Sequence, residues 1–181
     1  MRTRYTNLDG TVPENRLKEL LRWRLTRKPD RSPFETPRRP NDGSALAAPG
    51  AHLTWIGHAT FVMRLGDKLV ATDPIWSSRI HTIPRLSPPG VELERCPPID
   101  VVTISHAHYD HLDLPTLRRI GPRALYVVPR DVGDVLRSAG LERVVELGWW
   151  ESHVEGDLRI TLVPAQHWSC LLYTSDAADE L

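Results

Sequence analysis

The densest concentration of reactive side chains in the sequence is Ser105-His-Ala-His-Tyr-Asp-His-Leu-Asp. Three His and two Asp fall between His106 and Asp113, in a chain with eight His in all. On an extended backbone residues i and i+2 point to the same side, so His106 and His108 can hold one metal ion together. Asp110 and His111, where the chain turns toward a helix, can reach a second ion. Imidazole nitrogen and carboxylate oxygen suit zinc, and also Mn or Fe. Two ions about 3.5–4 Å apart activate a bridging water and stabilise a leaving oxygen, so the chemistry expected is hydrolysis. A chance cluster on a solvated loop is the bland alternative. The position of the cluster, directly after an apolar strand where α/β folds place their ligands, speaks against it.

The elements that must position this cluster are legible on either side of it. His52–Ile56, Thr60–Leu65 and Lys68–Thr72 read as strands separated by the turn-compatible pairs Gly57-His58 and Gly66-Asp67, which predicts an antiparallel opening to the domain. After a proline-rich loop, Asp100–Ser105 reads as a buried strand. A helix at Leu114–Ile120, a strand at Ala124–Val128, a helix at Val132–Ala139 ended by Gly140 and a strand at Arg143–Leu147 complete an α/β alternation. A last alternating strand, Asp157–Val163, ends in Pro164-Ala-Gln-His. Upstream, Leu17, Leu20, Leu21 and Leu25 predict one amphipathic helix. Residues 29–50 carry five prolines and read as a connector, so three segments are expected: a basic arm at 1–50, a domain at 51–169 and a tail at 170–181.

Composition narrows the function classes. The chain has 181 residues, 40% of them hydrophobic, with 23 Lys+Arg against 23 Asp+Glu, which describes a globular domain rather than a disordered or fibrous chain. Its apolar runs fall far short of the roughly 18–20 residues that cross a bilayer, and the first residues do not read as a secretory leader, so a cytoplasmic location is expected. Cys96 and Cys170 build no disulfide framework, and Cys96 reads as a packing residue. The first 50 residues hold 11 Lys+Arg and 6 Asp+Glu, a mild excess that could meet an anionic substrate, a membrane surface or nucleic acid. The core domain shows no aromatic-interleaved basic stripe, which weighs against nucleic acid.

His106-x-His108-x-Asp110-His111 after a strand resembles the signature of the metallo-β-lactamase superfamily. Thr54-Trp-Ile-Gly-His-Ala-Thr-Phe, Thr72-Asp-Pro-Ile-Trp, Pro97-Pro-Ile-Asp-Val-Val and Pro164-Ala-Gln-His-Trp-Ser resemble the branch containing N-acylphosphatidylethanolamine-hydrolysing phospholipase D and its bacterial relatives. That resemblance spans about residues 53–169. It implies an αβ/βα sandwich with two zinc ions at one edge. It implies that His106 and His108, with His167 from a later loop, bind the first ion, and that Asp110 and His111 bind the second. The reaction it implies is attack of a metal-bridging hydroxide, oriented by Asp110, on the phosphodiester of a lipid-like substrate, with peripheral membrane contact as a corollary. Asp73 is expected to shape the loop beneath the site. His58 either orients a ligand or is only a turn residue, and Asp113 reads as the N-cap of the following helix. Trp149, Trp150 and Trp168 could line a wall for an acyl chain, although packing is the commoner fate of such rings.

The rival enzyme reading is a lactone, β-lactam or thioester hydrolase of the same superfamily, since fold does not fix substrate. A rival from another class is a non-catalytic metal- or nucleic-acid-binding module. The resemblance also implies a bridging Asp and a further His that do not follow His167 here, and Cys170-Leu-Leu-Tyr-Thr-Ser-Asp-Ala-Ala-Asp-Glu resembles the translation of a sequencing adapter. The expectation is therefore the first half of a sandwich. Such a half would have one sheet face uncovered, a second ion short of ligands, and no activity of its own.

Overall fold

The computed structural model describes residues 17–26, 41–80 and 83–165, together with Asp9. They divide between two units. In the first, the expected helix forms as α1 (Leu17–Thr26), with the Thr26 hydroxyl donating to the Arg22 carbonyl at 2.8 Å.

The second unit holds every other element. It opens with a short helix, α2 (Ser44–Ala47), inside the stretch expected as connector, and Leu46 on that helix is completely buried. Strands β1 (His52–Gly57), β2 (Thr60–Leu65) and β3 (Lys68–Thr72) form the expected meander, each paired antiparallel to the next. A small hairpin, β4 (Arg79–Ile80) and β5 (Ile83–Pro84), interrupts the long loop that follows. Gly90 in that loop donates to the Ile56 carbonyl at 2.8 Å, and a β-carbon there would lie 2.2 Å from the Trp55 carbonyl oxygen, so only glycine permits the loop to lie against β1.

The chain then returns in parallel. β6 (Val101–Thr103) pairs with β3, β7 (Leu125–Pro129) with β6, and β8 (Val144–Leu147) with β7, giving a six-stranded sheet in the order β1-β2-β3-β6-β7-β8. The crossovers carry α3 (Leu114–Ile120) and α4 (Gly133–Ser138). This is the mixed α+β architecture expected. Asp100 sets the entry to β6: its carboxylate accepts from Leu69 N at 2.7 Å, and its carbonyl from Leu125 N at 2.8 Å.

One face of the sheet packs Val62, Leu69, Ala71, Val102, Tyr126 and Val128 against Leu117, Leu136 and the loops. The other face corrects an expectation. The predicted single strand at the end of the domain is a hairpin, β9 (Ser152–Glu155) and β10 (Leu158–Thr161), turning at Gly156 with φ +61°. Leu158 and Ile160, with Leu162 beyond them, pack on Val70, Val101, Leu125, Val127 and Leu147, so the centre of this face is covered. Leu53 and Trp55 on β1 remain 65% and 57% exposed. Exposure thus falls on the β1 margin rather than on the whole face.

Asp113 stands at the N-cap position of α3, but its side chain caps no backbone N–H of that helix. Its Oδ2 accepts instead from the Thr116 hydroxyl at 2.5 Å and from the Ser77 hydroxyl at 2.7 Å, while Thr116 Oγ1 accepts from Trp76 N at 2.8 Å. The expected cap therefore serves as a tie between α3 and the loop after β3. Thr116→Val would strand the buried Trp76 N–H and one acceptor position of Asp113. Expected is a loss of about 2–3 kcal/mol, read as a lower midpoint of urea unfolding at unchanged slope.

Candidate metal centre

The cluster His106–His111 follows the carboxyl end of β6, and Asp73 follows the carboxyl end of β3, its parallel neighbour. The ladder continues past both strands, since Asp73 N donates to Thr103 O at 2.8 Å and Ile104 N to Val127 O at 3.0 Å. Two buried apolar residues anchor the turn from below, Ala107 at 2% exposure and Leu112 at 0%. His111 N and Leu112 N both donate to the His108 carbonyl, at 2.9 and 2.8 Å, which coils the segment so that its polar side chains converge.

His106 and His108 lie side by side, with His106 Nε2 and His108 Nδ1 2.8 Å apart and ring centroids at 4.5 Å. His111 stacks at a tilt on His106, centroids 4.1 Å apart. Asp73 is buried beneath them. Its Oδ1 accepts from Ser105 N at 2.7 Å, and its Oδ2 meets both Ser105 Oγ at 2.7 Å and His111 Nδ1 at 2.8 Å. Asp73 thus ties Ser105 and His111 to one buried carboxylate and orients an imidazole. That hydrogen bond holds the His111 imidazole above its ordinary pKa against the opposing effect of burial, with the Asp73 and Asp110 charges adding to it.

Asp110 lies between His58 and His111. Its Oδ2 lies 3.1 Å from His58 Nε2 and 3.8 Å from His111 Nε2. Burial pushes its carboxyl up, but its own backbone N–H and the imidazoles of His111, His58 and His108 outweigh that and hold it below the usual carboxylate range. His58, which the sequence left open between an orienting role and a turn, faces the site. Among the described residues His58, Asp110 and His111 each offer one ligand atom, all within 4.8 Å of one another, a spacing that a metal ion can bridge. Donor chemistry and mutual distances therefore fit metal binding. The signal for His58 lay in the sequence only as an imidazole in a two-residue hairpin turn, with nothing to connect it to Asp110.

The remaining expected site residues stand apart or outside. Asp113 is engaged with Ser77 and Thr116. His167 and Trp168 lie outside the described residues. Trp149 and Trp150 are 40% and 69% exposed, where packing was the commoner expectation, and Trp150 N donates to Leu162 O at 2.7 Å. Burial pushes the Cys96 thiol up to about 11, which keeps it protonated and unreactive at neutral pH.

Similarity to known proteins follows the same lines. An uncharacterized protein of Mycobacterium tuberculosis is 42% identical over 137 residues, 71% of this chain and 36% of that protein. N-acyl-phosphatidylethanolamine-hydrolyzing phospholipase D 1 of Caenorhabditis elegans is 35% identical over 135 residues, covering 65% of this chain and 38% of the enzyme. The chain spans little more than a third of the length of these curated relatives. Among solved structures, CmlA, a diiron beta-hydroxylase from Streptomyces venezuelae, is 26% identical at a TM-score of 0.52, over 63% of this chain and 24% of that one. Igni18, a metallo hydrolase from Ignicoccus hospitalis, is 26% identical at a TM-score of 0.51, over 66% of this chain and 50% of that one. Residues 69–179, more than half of the sequence, match the beta-lactamase superfamily domain, and the chain belongs to that family.

Proposed function

We propose that this chain carries the first half of the αβ/βα sandwich of a dinuclear zinc hydrolase, a phosphodiesterase of phospholipase D type that acts on a lipid-like substrate. The observation that carries the reading is the convergence of His106, His108, Asp110 and His111 beyond two neighbouring parallel strands, with His111 held by a buried carboxylate. Likeness to the Caenorhabditis elegans phospholipase D supports the phosphodiester as substrate class.

In this reading His106 and His108, joined by His167, hold one ion, and Asp110 and His111 hold the other. When bound, the ions acidify a water and neutralise charge that develops on the phosphoryl oxygens. The chain's own groups do the rest. Asp110, ionised across the neutral range, accepts a hydrogen bond from the attacking water and fixes its approach to phosphorus. As the new P–O bond forms, the bond to the leaving alcohol breaks, and the proton given up by water ends on that alcohol. Asp73 keeps the His111 ring from rotating, so that Nε2 rather than Nδ1 faces Asp110.

Among the described residues no helix is long and apolar enough to cross a membrane, and a lipid would be met from the membrane surface. Turnover belongs to a chain of the relatives' full length. Zinc is the proposed metal; the same donors suit iron, and the likeness to a diiron enzyme makes iron the competitor to measure.

The test is to load the full-length protein with zinc or iron, count bound ions by elemental analysis, and follow hydrolysis of bis(p-nitrophenyl) phosphate. Two zinc ions and turnover are expected. Asp110→Asn should lower kcat by about 10²–10⁴-fold. Two ions without phosphodiester turnover would move the substrate to esters, lactones or thioesters, and absence of metal binding would end the reading.

The His111–Asp73 pair adds a pH dependence. The raised imidazole pKa means that the metal-free site stays protonated to a higher pH than an ordinary His at about 6.5. Binding must displace that proton, so apparent zinc affinity should climb with pH through the raised value and level off above it. Asp73→Asn removes the carboxylate. Zinc competition titrations over about pH 5–8 should then level off at lower pH, at a plateau roughly 10–100-fold weaker.

A further inference from the structure

His58 is placed with more care than a turn residue needs. It occupies the turn between β1 and β2 with φ +49°, in the left-handed region where Gly, Asn or Asp are the usual occupants of a two-residue hairpin. The turn is tied from both sides. The Trp55 indole N–H donates to the His58 carbonyl at 3.0 Å, and the Thr72 hydroxyl donates to the Ala59 carbonyl at 2.9 Å. Thr60, the next residue, donates its hydroxyl to the Asp73 carbonyl at 2.7 Å. The backbone that carries His58 is therefore fixed to the same Asp73 segment that orients His111. An imidazole with a strained backbone and a fixed base, aimed at a carboxylate, is the pattern of a residue kept for its side chain.

We infer that His58 is a third protein ligand of the ion held by Asp110 and His111. This rests on the metal-centre reading above and goes past it, because the family resemblance completes that ion with an Asp and a His from a later segment. Donors bound to zinc at about 2.0–2.2 Å stand roughly 3.3–3.6 Å from one another in a tetrahedron. Asp110 Oδ2 lies 3.1 Å from His58 Nε2 and 3.8 Å from His111 Nε2, on either side of that value. The three ligand atoms all fall within 4.8 Å, so slight rotation of half-exposed side chains brings them onto one ion. His111 Nδ1 is taken by Asp73, which leaves Nε2 as its coordinating atom. Two imidazoles and one carboxylate with a fourth position open is the ligand set of a catalytic rather than a structural zinc. The consequence is that the β1–β2 turn and the turn after β6 supply three donors to this ion, with Asp73 after β3 orienting one of them.

The alternative is that His58 only donates a hydrogen bond to Asp110. The experiment separates these roles in the 181-residue chain. A His106→Ala/His108→Ala background removes the first pair, and cobalt(II) is titrated into it, with its visible absorption and competition against a chromophoric chelator as readouts. One bound cobalt is expected. His58→Ala should weaken it by more than the roughly 100-fold that loss of a hydrogen-bonding neighbour causes, and change the absorption bands. His58→Gln, whose amide can still donate to Asp110, should be as weak as His58→Ala. If His58→Gln binds like the background, or if the background binds no cobalt while the unmodified chain binds one, the inference is overturned and the metal-centre reading stands. If the unmodified chain binds no cobalt, and the full-length protein likewise none, the reading fails together with the inference.

Discussion

Asp73 is the residue on which the site depends, its carboxylate fixing the turn after β6 and its backbone tying that turn to β2 and to the end of β6. It receives Ser105 twice, through N–H and hydroxyl, and His111 once, at 2.7, 2.7 and 2.8 Å. Its backbone N–H goes to the end of β6 and its carbonyl receives Thr60 from β2. The residue is 6% exposed, and a carboxylate so placed is tolerable only because donors surround it. Its φ of +37° is uncommon outside glycine, and Asp is among the residues that accept such values. Withdrawing the carboxylate would loosen the turn after β6 and the orientation of an imidazole in a single step.

Two acids of one type thus receive different tasks from their surroundings. Asp73 is buried, saturated by fixed donors and immobile; Asp110 is half-exposed, ionised, and near imidazoles rather than hydroxyls. In the proposed reaction the first serves as scaffold and the second as reagent, the division of labour by environment that carboxylate pairs show elsewhere. The Asp113–Thr116–Ser77 network supports the same arrangement from the far side, fixing the loop after Asp73 to α3.

Most of the frame was legible because its signals are local. Hydrophobic alternation and turn residues placed β1, β2 and β3, and α3 runs over Leu114–Ile120 as its pattern and flanking residues indicated. The i, i+2 spacing of His106 and His108 brought them together for the same reason. What escaped reading depends on partners distant in sequence. β9, Ser-His-Val-Glu, has a single apolar residue and becomes a strand by pairing with β10. Asp113 carries the local signature of a cap, but Thr116 and Ser77 compete successfully for its oxygens. His58 meets Asp110 only after four strands have registered, so no spacing could announce it.

The order of the sheet has a bearing on how the protein is made. Within the six-stranded sheet each strand is added beside one already present, so among the described residues those of the site lie in the continuous stretch His58 to His111 and close within it. Loop closure of this kind costs little entropy and is fast compared with pairing across a whole domain. At a synthesis rate of about 5–20 residues per second, that stretch leaves the ribosome seconds before the residues that follow it. On the proposed metal centre, the nascent chain would therefore present an organised set of imidazoles and carboxylates while later residues were still being added, and metal capture and folding would proceed together from the N-terminal side.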